Sequence, residues 1–370
     1  MRVNSILFFA NAAIFASWFY LPVFSEKDLG LSEFQIGLIF TIYGITLLLS
    51  SYLFGILSDR FGRKQFLYAG FLASILTFGL QSVAVDFWSL LIIRGVAGFS
   101  IGIYPAALVA YVYEARKQMG KFSSFGSLGF GFGAVVAGYL GEIIGIRYSF
   151  LVSSLFFSIS LLFALKLPNV KSLRIRVPLF PIDVIKRNRS VYFSFLMRHS
   201  GAHAIWIIFP LYLLDLGATL FWIGIIHATN ALSQFVYMFF LTDRYSSRKL
   251  VSIGLSLSAL TFLLFLFATV WWELIPLQIL LAASWSCLYV GSLKYVTERN
   301  VERATATGML NSVMSLSMIF GGILGGTISF YFGKYATILT AMLFTIIGSG
   351  YWLVYELRCC SMWMQRKSRS

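Results

Sequence analysis

Twelve stretches of roughly 20 mostly apolar residues follow one another along the chain, each long enough for one helix to cross a bilayer. The first six run over about 5–24, 36–57, 66–85, 88–112, 123–142 and 148–167. The second six run over about 190–213, 221–241, 250–270, 274–296, 306–330 and 335–356. The first stretch, after Arg2, has the outline of a signal peptide, but its apolar region is long for one. Of the 370 residues 59% are hydrophobic and 12% charged, with a mean hydropathy of +0.82. A water-soluble fold of this size cannot hide so much apolar surface. The sequence therefore predicts an all-α integral membrane protein with twelve transmembrane helices.

The net charge of +15 would suggest nucleic acid in a soluble protein, but here its location decides. An even number of spans puts both termini on one side. Of the 29 Lys+Arg, 23 fall on that side, among them Arg2, Arg60–Lys64, Arg116, the 166–189 segment and the tail. Only Lys27, Arg147 and Lys334 fall opposite, and Arg94, Arg198 and Lys294 lie within spans. The positive-inside bias makes this a multi-pass protein of the cell membrane with cytoplasmic termini, and no nucleic acid is needed. Cys287, Cys359 and Cys360 make no disulfide framework; the adjacent pair reads as inert thiols or as a lipidation site. No metal-ligand spacing, phosphate loop or nucleophile–base pair is visible, so neither a metal, a cofactor nor an enzyme is expected.

The longest polar segment, 168–189, is basic, contains Pro168, Pro178 and Pro181, and reads as a linker on an anionic membrane face. It separates two six-helix halves, 1–167 and 190–357, with a basic tail at 358–370. The halves match residue by residue. Asp28-Leu29-Gly30 with Phe34, Ile36 and Gly37 recurs as Asp215-Leu216-Gly217 with Phe221, Ile223 and Gly224. Asp59-Arg60-Phe61 recurs as Asp243-Arg244-Tyr245, and the same shift holds to Tyr111-Val112-x-Glu114 and Tyr295-Val296-x-Glu298. A run in constant register argues for duplication. Two such halves around a midplane cavity make a transporter architecture.

Between the second and third spans stands Gly55-Ile56-Leu57-Ser58-Asp59-Arg60-Phe61-Gly62-Arg63-Lys64. It resembles the signature loop of the major facilitator superfamily at every key position, and the resemblance covers nearly the whole chain. The second copy, Asp243-Arg244-Tyr245-Ser246-Ser247-Arg248-Lys249, lacks both glycines. Gly55 removes bulk where two helices approach, Gly62 permits a tight turn, and a carboxylate at Asp59 can accept from a helix start. The resemblance implies that this partner is the start of helix 11, near Ala304–Thr307. Arg63 and Arg248 are expected to pair with Glu114 and Glu298, latching the cytoplasmic side. The alternative is that these cations only set topology.

Leu90-x-x-x-Arg94-x-x-x-Gly98-x-x-x-Gly102 resembles a fourth-helix region noted in proton-coupled members. Arg94 either snorkels to the interface or faces a cavity. Glycines crowd helices 5 and 11, as in drug/proton antiporters, but Gly133-Ala134-Val135-Val136-Ala137-Gly138 stands where the antiporter G-P dipeptide would be. Close helix packing is the preferred explanation of them.

All 14 Asp+Glu fall at span ends or in loops. The interior ionisable groups are Arg94, Arg198, His199, His203, His227 and Lys294, each costing roughly 2.5–3.5 kcal/mol at the bilayer centre unless it meets a cavity or partner. His199 and His203 share a helix face, and helices 1, 4, 7 and 10 line the cavity in the family. Asn11 and Gln278, the repeat partners of Arg198 and Arg94, and Asn230 and Gln234 add neutral polarity. Trp206, Trp285 and Tyr104 are candidate wall aromatics. Each His is as readily a satisfied packing residue. Together the residues suggest a monomeric secondary active transporter of a neutral or anionic small solute, with protons carried by histidine. An uncoupled facilitator and a non-transporting receptor or scaffold are the rivals.

Overall fold

A bilayer leaves no water for exposed backbone groups, so an apolar chain must bond its N–H and C=O groups within each segment. The computed structural model describes residues 2–18, 21, 24–31, 33–170, 177–218 and 220–367, and among them there is no strand. The side chains of Glu26, Phe34, Ile36, Gly37, Glu142, Phe221, Ile223, Gly224 and 356–370, and all of 171–176, lie outside the described positions. The helices are α1 (Arg2–Trp18), α2 (Glu33–Phe61), α3 (Arg63–Leu80), α4 (Phe87–Glu114), α5 (Met119–Ile143) and α6 (Arg147–Leu165). They continue as α7 (Ile182–Asp215), α8 (Leu220–Phe240), α9 (Ser247–Phe265) and α10 (Leu274–Arg299). A last helical stretch, Arg303–Lys367, is broken at Gly333 into α11 before it and α12 after it. Nine helices among the described residues are long and apolar enough to cross a membrane. This is a multi-pass membrane protein.

Local chemistry sets the boundaries. Asp86 caps α4: its carboxylate accepts the Ser89 N–H at 2.8 Å, and the Ser89 hydroxyl accepts from the Asp86 N–H at 3.1 Å. Bonding first to the Ser89 hydroxyl and then to its N–H holds the Asp86 carboxyl below its ordinary value. Pro105 opens the second segment of α4 after a break at Tyr104, since a proline at the first helical position forfeits no intrahelical bond. Gly62 turns α2 into α3 at φ 106°, a conformation that side-chain-bearing residues rarely adopt. Gly30 and Gly217, equivalent in the repeat, also share positive φ, at 65° and 83°.

Helix α7 begins at Ile182, eight residues before its predicted start, inside the segment read as linker. The added turns are too polar for a hydropathy reading, yet Val184 and Asn188 are buried. Asn188 exchanges bonds with Asn300 at 3.0–3.1 Å and Arg187 reaches Glu302 at 3.1 Å, so this extension holds the α10–α11 turn. Arg198 thus lies about 24 Å from the helix start rather than the 12 Å expected.

Helix α1 packs on α5 and α6, α2 on α4, and α3 on α6. In the second set α7 packs on the Arg303–Lys367 stretch, α9 on α10, and α8 on α10. The sets meet where α2 crosses the α11 stretch and where α5 crosses α8, contacts that map onto each other under a six-helix shift. Glycines permit these approaches. A Cβ on Gly55 would sit 2.7 Å from the Ala304 carbonyl and 3.0 Å from Gly308 Cα. Gly129 and Gly133 lie against α1 backbone at Phe8 and Ala12, and Gly321 and Gly325 against α7 at Ser200 and Ala204. These six glycines serve close packing.

Candidate functional site: a buried latch and a two-part cavity

At the end of the bundle that carries the 168–189 segment, two carboxylates reach helix starts in the opposite set. Asp59, fully buried in the last turn of α2, accepts from Ala304 N at 3.3 Å, Thr305 N at 2.7 Å and Thr305 Oγ1 at 2.6 Å. Asp243 after α8 accepts from Gly120 N at 2.8 Å and Lys121 N at 2.9 Å. The first N–H groups of a helix have no intrahelical acceptor and carry the positive end of its dipole, so each carboxylate satisfies donors that burial would otherwise strand.

The Asp59 copy is wired further. Arg63 donates to Asp59 at 2.5 Å and to Glu114 at 2.8 Å, while Arg303 stands 3.9 Å from Glu114 and over the Tyr113 ring. One chain of charges therefore joins α2, α3, α4 and α11. In the other copy Glu298 accepts from Ser247 Oγ at 2.6 Å, and Arg244, Arg248 and Lys249 are exposed. The remaining signature cations turn to the linker. Arg60 donates to the Val177 carbonyl, and Lys64 to the Leu167 carbonyl at 2.6 Å and Asn169 Oδ1 at 2.7 Å. With Tyr52 on the Leu179 carbonyl and Tyr111 on that of Pro168, they dock the linker backbone onto the first set. Lys294, an interior cation by sequence, donates to the Tyr245 carbonyl at 2.7 Å.

The other described hydrogen bonds between the sets, Ser312 to the Leu48 carbonyl and Ser127 to Gln234 and to Met238 Sδ, lie no farther from the linker end than mid-depth. Beside this seal are two cavities of about 350 and 180 Å³ that share Gln234 and Trp285. The described residues that wall the larger are all neutral, Asn11, Tyr104, Phe122 and Tyr289 among them. The smaller is lined by Arg198, His199, Trp206, Asn230, Gln234, Leu281 and Trp285.

Arg198 is 2% exposed and held by serines that the sequence did not single out. Its Nε donates to Ser258 Oγ at 2.7 Å and one terminal nitrogen to Ser284 Oγ at 3.4 Å. Those two hydroxyls touch each other and each donates to the Gly254 carbonyl. The rings of His199 and His203 meet edge-on at 4.5 Å, and His199, Trp285 and Tyr289 stack in a column at 4.9 and 5.2 Å. His227 stands apart from the pair, against Trp206 and Phe209. Asn230 donates to the Gln278 carbonyl and accepts from Gln234 Nε2, whereas the fully buried Gln278 amide has no hydrogen-bond partner among the described residues. Asn11 donates to the Gly126 carbonyl at 3.0 Å.

Arg94 fits neither expectation. It is 1% exposed, so it does not snorkel, and neither cavity includes it. It donates to Ser17 Oγ at 3.2 Å and Gln81 Oε1 at 3.1 Å and lies 4.3 Å from the Tyr43 ring centre, within the first set.

Comparison with known proteins places these features in a family setting. The family model described as Major Facilitator Superfamily matches residues 4–242 and 191–358. The tetracycline resistance protein, class C, of Escherichia coli is 26% identical over 315 residues, which cover 78% of each chain. The multidrug resistance protein MdtG of Enterobacter lignolyticus is 24% identical over 371 residues, 93% of this chain and 88% of that one. The crystal structure of the human organic anion transporter MFSD10 shares the fold, with a TM-score of 0.77 at 16% identity over 95% of this chain and 99% of that one.

Proposed function

Because the chain belongs to the major facilitator superfamily and is therefore a membrane transporter, we propose that it works by secondary active transport, rocking residues 1–167 against 190–357 about the two-part cavity. The observation that carries this reading is the pair of carboxylates, Asp59 and Asp243, each capping a helix start across the interface. Contacts of that kind hold two rigid units together at one face and can be broken and remade as units. The basic end is assigned to the cytoplasm by the Lys/Arg bias, which makes the described conformation one closed to the cytoplasm. Relatives that cover most of the chain are named for drug resistance, which supports export of an organic solute. The protein is taken to act as a monomer, with the bilayer, the solute and protons as its partners.

The neutral or anionic character of that solute follows from the cavity walls, whose described residues include Arg198 and His199 and no carboxylate. Protons are assigned to the histidines, because imidazole is the interior group whose ordinary pKa lies near neutrality. His199 and His203, the edge of one ring against the other beside Arg198, are the pair we assign to exchange a proton with an arriving anion. Substrate-dependent flux in proteoliposomes, with and without a pH gradient, separates this reading from an uncoupled facilitator and from a scaffold. Replacing His199, His203 and His227 together by Gln is expected to abolish pH-driven accumulation and to leave downhill exchange. Full retention of coupling in that variant sinks the histidine assignment, and strong transport of a quaternary ammonium dye sinks the charge assignment.

A further inference from the structure

We propose that the transported solute is an amphiphilic monoanion, its charged group on Arg198 in the smaller compartment and its apolar body in the larger one. The inference rests on the transporter reading above and names the substrate class of that same cavity. The Arg198 guanidinium is fixed along one edge by Ser258 and Ser284, and its other terminal nitrogen has only a 3.5 Å contact with His199 Nδ1. A guanidinium has five N–H donors, so at least two remain to be met. Among the described residues no carboxylate lies within ion-pair distance, whereas buried Arg63 has two. The Phe262 and Trp285 rings, each 5.6 Å away, give weaker support than an anion would. A buried cation in this state favours whatever ligand delivers a fork-matching carboxylate or sulfonate.

Arg198 is the one permanently charged side chain among the described residues that line this compartment, and the amides Asn230 and Gln234 each already spend an N–H, on the Gln278 carbonyl and on Asn230 Oδ1, so a second anionic charge would have no permanent counter-ion. The rest of the ligand is defined by the larger compartment, which carries no charged residue among the described ones. The column His199–Trp285–Tyr289 runs from the wall of one compartment to that of the other, so a single rigid aromatic face connects head site to body site. Arg94, equally buried and also without a carboxylate, borders neither compartment, which leaves Arg198 as the anchor.

The test compares naphthalene-2-carboxylate, its neutral carboxamide and benzoate as ligands of the full-length protein in detergent, read by thermal shift and by intrinsic tryptophan fluorescence. The carboxylate is expected to bind and the carboxamide to bind at least about tenfold more weakly, the loss of a charged hydrogen-bonded pair. Arg198→Gln should remove that difference, and Arg198→Lys, which keeps charge without the fork, should keep part of it. Ile14→Trp, which fills the larger compartment, should weaken naphthalene-2-carboxylate and leave benzoate within about twofold of wild type. Equal binding of carboxylate and carboxamide by the wild-type protein overturns the proposal, even if the Gln variant fails to fold. Equal losses for benzoate and the naphthoate in Ile14→Trp overturn the two-compartment assignment. Carboxylate binding without counterflow in proteoliposomes would keep the monoanion site on Arg198 and remove the transport reading. Counterflow of the carboxamide in preference to the carboxylate would do the reverse.

Discussion

Asp59→Asn is expected to open the linker side and to collapse transport while leaving the protein folded in the membrane. The carboxylate is fully buried and is the acceptor for Ala304 N, Thr305 N, Thr305 Oγ1 and Arg63. An amide of the same shape supplies one oxygen, turns an NH2 group toward donors, and leaves Arg63 short of one of its two partners. Breaking a buried, hydrogen-bonded charge pair typically costs about 3–5 kcal/mol. In the open conformation of the proposed cycle water would solvate these groups, so the cost falls on the closed state, lowering the closed-to-open ratio by about two to three and a half powers of ten. Asp243→Asn should act in the same direction with less force, about 1.5–3 kcal/mol, because Asp243 is half-exposed and bonds two backbone N–H groups without a buried arginine. The measurement is maleimide labelling from the linker side of Ser123→Cys, a cavity-wall position, in a background with Cys287, Cys359 and Cys360 changed to Ser. Labelling should rise steeply for Asp59→Asn and moderately for Asp243→Asn. Unchanged labelling with wild-type transport would remove the latch.

The asymmetry between those two aspartates also shows which parts of the site could be read from residues. That Asp59 and Asp243 stand in one register was legible, and the family resemblance supplied the start of helix 11 as the partner of Asp59, while the partner of Asp243 at the start of α5 was not read. Nor was the course of Arg60 and Lys64. Both end on backbone carbonyls of the linker, and a carbonyl acceptor leaves no mark on sequence because every residue has one. The serines around Arg198 were hidden for a related reason. Serine occurs at many positions in these helices, and only the α9–α10 packing shows that Ser258 and Ser284 converge on one guanidinium. The early start of α7 was missed because hydropathy finds helix inside lipid, while Ile182–Arg189 is amphipathic and buries Val184 and Asn188 against protein. Arg94 went wrong through its neighbours: the polar groups that receive it, Ser17 and Gln81, come from α1 and the end of α3, and no local spacing brings them together.

Helix packing carries the second large effect, and it separates glycines that hold a unit together from glycines that let two units close. Gly55 and Gly308 face each other across the α2–α11 crossing, and a Cβ on Gly308 would meet the Ser51 carbonyl and sit 2.9 Å from Gly55 Cα. Gly129 presses on Phe8 of α1, inside the first set. These neighbours are main-chain atoms of rigid helices, which cannot swing aside as a side-chain tip would. Leucine at Gly55 or Gly308 must therefore push α2 and α11 apart, stretching the Asp59 bonds that lie one turn from Gly55 toward the linker. The conformation closed on the linker side is lost by overpacking, at about 1–3 kcal/mol, and by its carboxylate contacts as well. The open conformation of the proposed rocking cycle would not bring those backbones together and should be spared. Gly55→Leu is accordingly expected to label at Ser123→Cys at least as strongly as Asp59→Asn does, with near-normal folded yield. Gly129→Leu wedges α1 from α5, a contact needed in every conformation, so its effect should be a lower melting temperature and poor yield without a selective rise in labelling. Fluorescence-detected size exclusion for yield, a thermal melt, and the same maleimide reaction distinguish the two. If Gly55→Leu and Gly129→Leu lose folded protein to the same extent, the α2–α11 crossing is a permanent contact of the fold and the rocking interface must lie elsewhere.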